Sequence, residues 1–150
     1  MLNHRQIVDA WLVADNFLQE KQNRARVQSS IDKLTQQRFI NDCAYFLMLF
    51  ANFEAFLTTK AVSLITHKQA GAAWSSRRGW DVLKAADADR INFRHRLSYC
   101  LDKTTPSWSL ISGYYKIRND LAHTGVTATA FAIPVVASDL KQVGASLKDR

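Results

Sequence analysis

Phe39-Ile40-Asn41-Asp42-Cys43-Ala44-Tyr45-Phe46-Leu47-Met48-Leu49-Phe50-Ala51-Asn52-Phe53-Glu54-Ala55-Phe56-Leu57 is the stretch on which the fold turns. Phe39, Cys43, Phe46, Phe50, Phe53 and Leu57 recur at alternating spacings of four and three, the period of one side of an α-helix. Leu47, Leu49 and Phe56 fall off that stripe, so the helix is apolar nearly all round and needs cover on more than one side. Other amphipathic helices must supply that cover.

The flanking sequence offers them. Periodicity predicts a first helix over about Arg5 to Gln28, with Ile7, Trp11, Ala14 and Leu18 on its inner stripe, and extends the central helix from about Ile31 to His67. Gly71 to Arg78 reads as a loop, followed by a third helical region, broken near Ala85 to Asp89, that ends around Cys100. Thr105 before Pro106 makes a cap and first turn for a fourth helix, and Gly125 makes its stop. Thr127 to Ile133 is ambiguous between loop and short strand, while Pro134 opens a last helix with Val136, Leu140, Val143 and Leu147 inward. The expectation is an all-α protein, an antiparallel bundle of about five helices.

Composition bounds the rest. With 150 residues, 47% of them hydrophobic, the chain suits one domain spanning residues 1–150 and is short for two. No linker, repeat or low-complexity tract divides it. Twenty Lys and Arg against thirteen Asp and Glu give a net charge of +7, which favours polyanionic partners, nucleic acid or a membrane surface; a solvated basic surface gives the same count. Cys43 and Cys100 lack close pairing and sit among apolar neighbours, as reduced core residues of a cytosolic protein do. The N-terminus has no secretory pattern, and the longest apolar run, Cys43 to Phe53, is interrupted by Asn52 well short of the roughly 20 residues of a membrane span. No zinc spacing, phosphate-binding glycine loop or nucleophile arrangement is found, and no metal or cofactor is expected.

The chemistry concentrates on the fourth helix, in Tyr114-Tyr115-Lys116-Ile117-Arg118-Asn119-Asp120-Leu121-Ala122-His123-Thr124-Gly125. Arginine steadies phosphate charge and histidine moves protons near neutral pH, so the pair suggests phosphate-ester chemistry. On an ideal helix Leu110, Tyr114, Ile117 and Leu121 form the inner stripe. Tyr115, Arg118, Asn119, Ala122 and His123 then share an outer arc of roughly 140°. Trp108 and Ile111 fall in the same outer arc, which makes it partly apolar and suited to a partner, such as a second copy of the chain.

Each residue has a plainer use as well. His123 can serve only as a cation at a helix C-terminus, and Arg118 as an ion-pair partner of Glu54 or Asp120. Asn119, one turn before His123, can orient the imidazole or cap the fraying end. Glu54, set among Phe50, Phe53, Phe56 and Leu57, is costly to bury unpaired and calls for a salt bridge, with Arg118 a candidate partner.

Arg118-Asn119-Asp120-Leu121-Ala122-His123 resembles the motif of HEPN domains, in which Arg is followed after four to six residues by His, commonly with Asn next to the Arg. Phe50 to Leu57 is similar, in composition, to the second-helix segment of the branch related to RiboL-PSP and MAE-type domains. A second Arg-to-His spacing, Arg90 to His95, has Ile91 where the family favours Asn and sits in a basic run with Arg94 and Arg96, so it reads as a charged helix face. Another branch carries a Tyr just after the His as a target of AMP transfer; here Thr124, Gly125 and Val126 follow.

The resemblance implies a small helical bundle whose motif helices meet across a dimer. It also implies a metal-independent endoribonuclease, a toxin or antiphage-defence effector that leaves 2′,3′-cyclic phosphate and 5′-hydroxyl ends. Arg118, His123 and Asn119 would be catalytic, Glu54 and Asp120 supporting, and Lys116 and Tyr115 would contact RNA. The implied partners are RNA, a second copy of the chain, and an antitoxin or defence protein. The alternative within the family is a non-catalytic module that binds nucleotide, RNA or a protein.

Overall fold

A computed structural model describes residues 4–127 and 129–147. Among these the regular structure is entirely helical: α1 His4–Arg24, α2 Gln28–Gln69, α3 Trp74–Arg77, α4 Phe93–Cys100, α5 Pro106–Thr124 and α6 Ile133–Ser146, with a 3₁₀ helix at Ala85–Arg90. The protein is an all-α helical bundle. The ambiguous segment before α6 contains no strand among the described residues.

Two compact units emerge from the packing, one of residues 1–52 and 116–141, the other of residues 53–115 and 142–150. Helices α2, α5 and α6 each contribute residues to both.

In the first unit, α1 and α2 form an antiparallel hairpin fixed by polar links. Trp11 Nε1 donates to Asp42 Oδ1 at 2.7 Å, Arg38 donates to both oxygens of Asp15 at 2.8 and 3.0 Å, and Gln22 reaches Thr35 at 2.8 Å. Ile7 is buried and Trp11, Ala14 and Leu18 are half-buried on the expected stripe. Asp15 is buried among them, tolerable because the bidentate guanidinium satisfies both of its oxygens. Phe46 packs on Phe50 at 6.2 Å and on Phe131 at 4.8 Å between ring centroids.

In the second unit the rest of α2 supplies Phe53, Leu57, Ala61 and Ile65, all fully buried. The Gln69 side chain donates to the carbonyls of Trp80 and Leu83 at 2.8 and 2.7 Å, tying down the irregular 78–84 segment. Trp80 meets Tyr99 edge-on at 5.7 Å, and Phe93 stacks on Tyr115 at 4.5 Å. By length and composition α2 would also pass as a membrane-spanning helix, with a mean hydropathy of 1.3 in its most apolar window. Phe46, Leu49, Phe50, Phe53 and Leu57 are nonetheless enclosed by the protein itself.

Local chemistry sets the helix ends. Thr105 Oγ1 accepts from the Trp108 amide at 3.3 Å, a cap at the start of α5, and Asn92 Oδ1 accepts from the Arg94 amide at 2.9 Å to start α4. Gly125 has φ of 71°, and its amide reaches the Leu121 carbonyl at 3.0 Å, the left-handed closure that ends α5.

Several expectations need correction. The segment read as a loop at Gly71 to Arg78 holds the one-turn α3, and the third helical region becomes a 3₁₀ helix and the separate α4, because Asn92 caps a new start. The central stripe begins at Phe46 rather than Phe39, which is 40% exposed. On α5 the ideal stripe is wrong by one residue: Ile111 is 0% exposed and Leu110 is 38% exposed. The first turns of α5 bury their side chains in the second unit and its last turns in the first, so its buried side is not one straight line.

Candidate active site

The last two turns of α5 carry the Arg, Asn and His set, all within the first unit. Ile117 and Leu121 are buried and anchor the helix from below, while His123 and Ala122 are exposed and Arg118, Asn119 and Asp120 are half-buried. Beyond His123 the Thr124 hydroxyl donates to the Asp120 carbonyl at 2.7 Å and accepts from the Val126 amide at 3.3 Å, so the turn after the motif is closed by its own side chain.

Arg118 Nη1 donates to Asn119 Oδ1 at 3.1 Å. The amide therefore serves the guanidinium, and neither orients the imidazole nor caps the helix end. Arg118 has no carboxylate partner among the described residues, and both candidates are paired with other cations. Asp120 accepts from Lys116 Nζ at 3.0 Å, one turn earlier on the same helix. Glu54 accepts from Arg96 Nη2 at 2.6 Å in the second unit, which corrects the expected pairing of Glu54 with Arg118. His123 makes no hydrogen bond or ion pair among the described residues.

The residue missed by sequence reading is Arg96. Its sequence neighbours Arg90 and Arg94 assign it to a charged helix face, yet it is 5% exposed and bonds both Glu54 and the Thr58 hydroxyl. Glu54 and Thr58 stand one turn apart on α2, and a guanidinium is long and forked enough to reach both. The available signal was Glu54 itself, a carboxylate among aromatics that required a cation.

Tyr115, expected to contact RNA, lies in the second unit, half-buried, stacked on Phe93 with the Arg94 guanidinium 5.9 Å from its ring centre. Lys116 is exposed and paired with Asp120. Trp108 is half-buried with Lys103 Nζ 5.7 Å from its ring centre, and the enclosed Ile111 contributes nothing to an outer apolar face. Among the described residues no group of three or more His, Cys, Asp or Glu could hold a metal ion. Neither cysteine is in a disulfide, and burial, reinforced by the neighbouring Asp42, pushes the Cys43 thiol up.

Chemically, this helix end presents an imidazole and a guanidinium that, among the described residues, have no counterion. The C-terminus of a helix carries partial negative charge, so Arg118 is the group there able to hold a phosphate. Compared with known proteins, the chain matches no family model, no curated protein and no solved structure.

Proposed function

We propose that the protein is a metal-independent endoribonuclease of the HEPN type, acting in the cytoplasm as a toxin or defence effector. What supports the reading is the state of Arg118: among the described residues no carboxylate takes its charge, and Asp120 and Glu54 are paired with Lys116 and Arg96. His123 stands five residues further along the same helix, exposed and without a hydrogen bond or ion pair among the described residues.

His123 takes the proton from a ribose 2′-hydroxyl, and the 2′-oxygen attacks the adjacent phosphorus. Arg118 neutralises the charge that builds on the non-bridging oxygens, held at the right angle by the Asn119 amide. The bond to the 5′-oxygen breaks, and a proton delivered by a second copy of His123 completes the leaving group. A homodimer would supply that copy. Acid–base catalysis of this kind contributes about 10²- to 10⁴-fold.

Incubating the protein with total RNA and analysing the ends tests the reaction. Fragments with 2′,3′-cyclic phosphate and 5′-hydroxyl termini are expected; 3′-hydroxyl and 5′-phosphate termini would contradict this route. A second reading is a non-catalytic module that binds RNA, nucleotide or a partner protein. The Lys116–Asp120 pair favours it, since it neutralises the cation nearest the motif.

A further inference from the structure

The first unit contains a pocket of about 320 Å³ lined by Phe39, Asp42, Thr127, Thr129, Ala130 and Phe131, none of them a motif residue. Phe39 and Asp42 lie three residues apart on α2 and so face the same way. The others come from the segment between α5 and α6. That volume is at the small end for ligand sites and suits a planar ring system better than a whole cofactor.

Its walls are specific in kind. Phe131 is held by its contact with Phe46 at 4.8 Å, which makes it a fixed wall, whereas the partly exposed Phe39 offers a ring on which a second flat group can stack. Asp42 Oδ1 is fixed by Trp11 at 2.7 Å, and Oδ2 has no donor among the described residues. A carboxylate anchored through one oxygen, in a lining it shares with two aromatic residues, is an acceptor for donors in a flat ligand. Thr127 and Thr129 add hydroxyl groups to the same lining, and Thr127 Oγ1 already accepts from the Thr129 amide at 3.2 Å, which leaves its proton to donate.

We infer that this pocket binds a guanine base, with Asp42 accepting from its N1–H and exocyclic amine through Oδ2 and the second lone pair of Oδ1, a threonine hydroxyl donating to its O6, and Phe39 stacking on its face. Guanine is the nucleobase that presents two neighbouring donors on its pairing edge. Adenine and cytosine place an acceptor nitrogen beside their amine, which would face the carboxylate with its lone pair, and uracil offers a single donor between two carbonyls. Stacking on an aromatic ring accepts any base, so the carboxylate supplies the selectivity. The base can arrive as a free nucleotide or within an RNA strand. Binding here needs no cleavage, so this inference stands apart from the ribonuclease reading.

The test is titration of the intact protein with GMP, with AMP, and with two short RNAs that differ by a single G-to-A change. GMP or the G-containing RNA is expected to bind at least about tenfold tighter than its adenine counterpart. Asp42→Asn keeps an oxygen for Trp11 but replaces the open acceptor with a donor. It should erase that preference while circular dichroism and melting show an intact fold. Phe39→Ala, on a partly exposed side chain, should weaken guanine and adenine ligands together. Equal binding of guanine and adenine ligands, no binding of either guanine probe, or an unchanged preference in Asp42→Asn would overturn the inference.

Discussion

Arg94 and Arg96 stand two residues apart on one short helix and have opposite fates, since Arg94 is exposed while Arg96 is enclosed with Glu54 and Thr58. Removing the buried cation leaves Glu54 without its partner, and breaking such pairs typically costs about 3–5 kcal/mol, at the lower end here because Glu54 keeps some contact with solvent. Urea denaturation of Arg96→Met should show a loss of roughly 3 kcal/mol, with Arg94→Ala within about 0.5 kcal/mol of the parent. A mild Arg96→Met variant would mean that the pair is solvated. Asp42 makes the complementary case. Burial pushes its carboxyl up from the ordinary range and the Asp15 charge adds to this, while the Trp11 bond and Arg38 pull it down. A folded-state value above the unfolded one means that stability falls as pH rises through the window between them, and the charged carboxylate remains a cost at neutral pH. Asp42→Asn should therefore melt higher than the parent at pH 7, and the difference should close at pH values below the ordinary carboxylate range.

At the scale of elements, α5 separates what sequence can tell from what it cannot. Its ends were legible because they depend on local chemistry: Thr105 bonds the amide three residues on, Pro106 needs no amide partner, and Gly125 accepts a positive φ. Thr105→Ala should cost about 1 kcal/mol. Its buried side was legible only in part, because ideal periodicity assumes one neighbour along the whole helix, and α5 changes neighbours between its first and last turns. Ile111 against Leu110 measures this directly. Ile111→Ala should cost about 2–5 kcal/mol and Leu110→Ala less than about 1 kcal/mol, by thermal or chemical denaturation. Reversed magnitudes would restore the straight stripe. Phe39 departs from the central stripe for a related reason, since helical spacing records which way a residue points and not whether anything covers it.

For the whole molecule, the helical class was readable from the apolar period of α2, while the partner of Glu54 was not, because Arg96 lies 42 positions away and only folding brings the two together. The candidate site was readable as a linear motif, yet the pairing of its neighbours, Asp120 with Lys116 and Glu54 with Arg96, was not, and neither was the absence of a counterion for Arg118 among the described residues. Ile111 is enclosed, so the surface proposed to join two copies is the motif end, around the exposed Ala122 and His123. Light scattering is expected to give about twice 17.0 kDa, and Ala122→Glu should return a folded monomer that has lost cleavage. A parent protein that stays monomeric at high micromolar concentration would remove the composite site.

The central claim is that Arg118 and His123 cut RNA without a metal, and it is tested most directly by the rate of RNA cleavage in EDTA for the parent, His123→Ala and Arg118→Ala. The parent should cleave, and each variant should lose about two or more orders of magnitude in rate with its circular dichroism unchanged, because one loses proton transfer and the other charge stabilisation. Cleavage that requires a divalent metal, or variants that cleave as fast as the parent, would contradict the account.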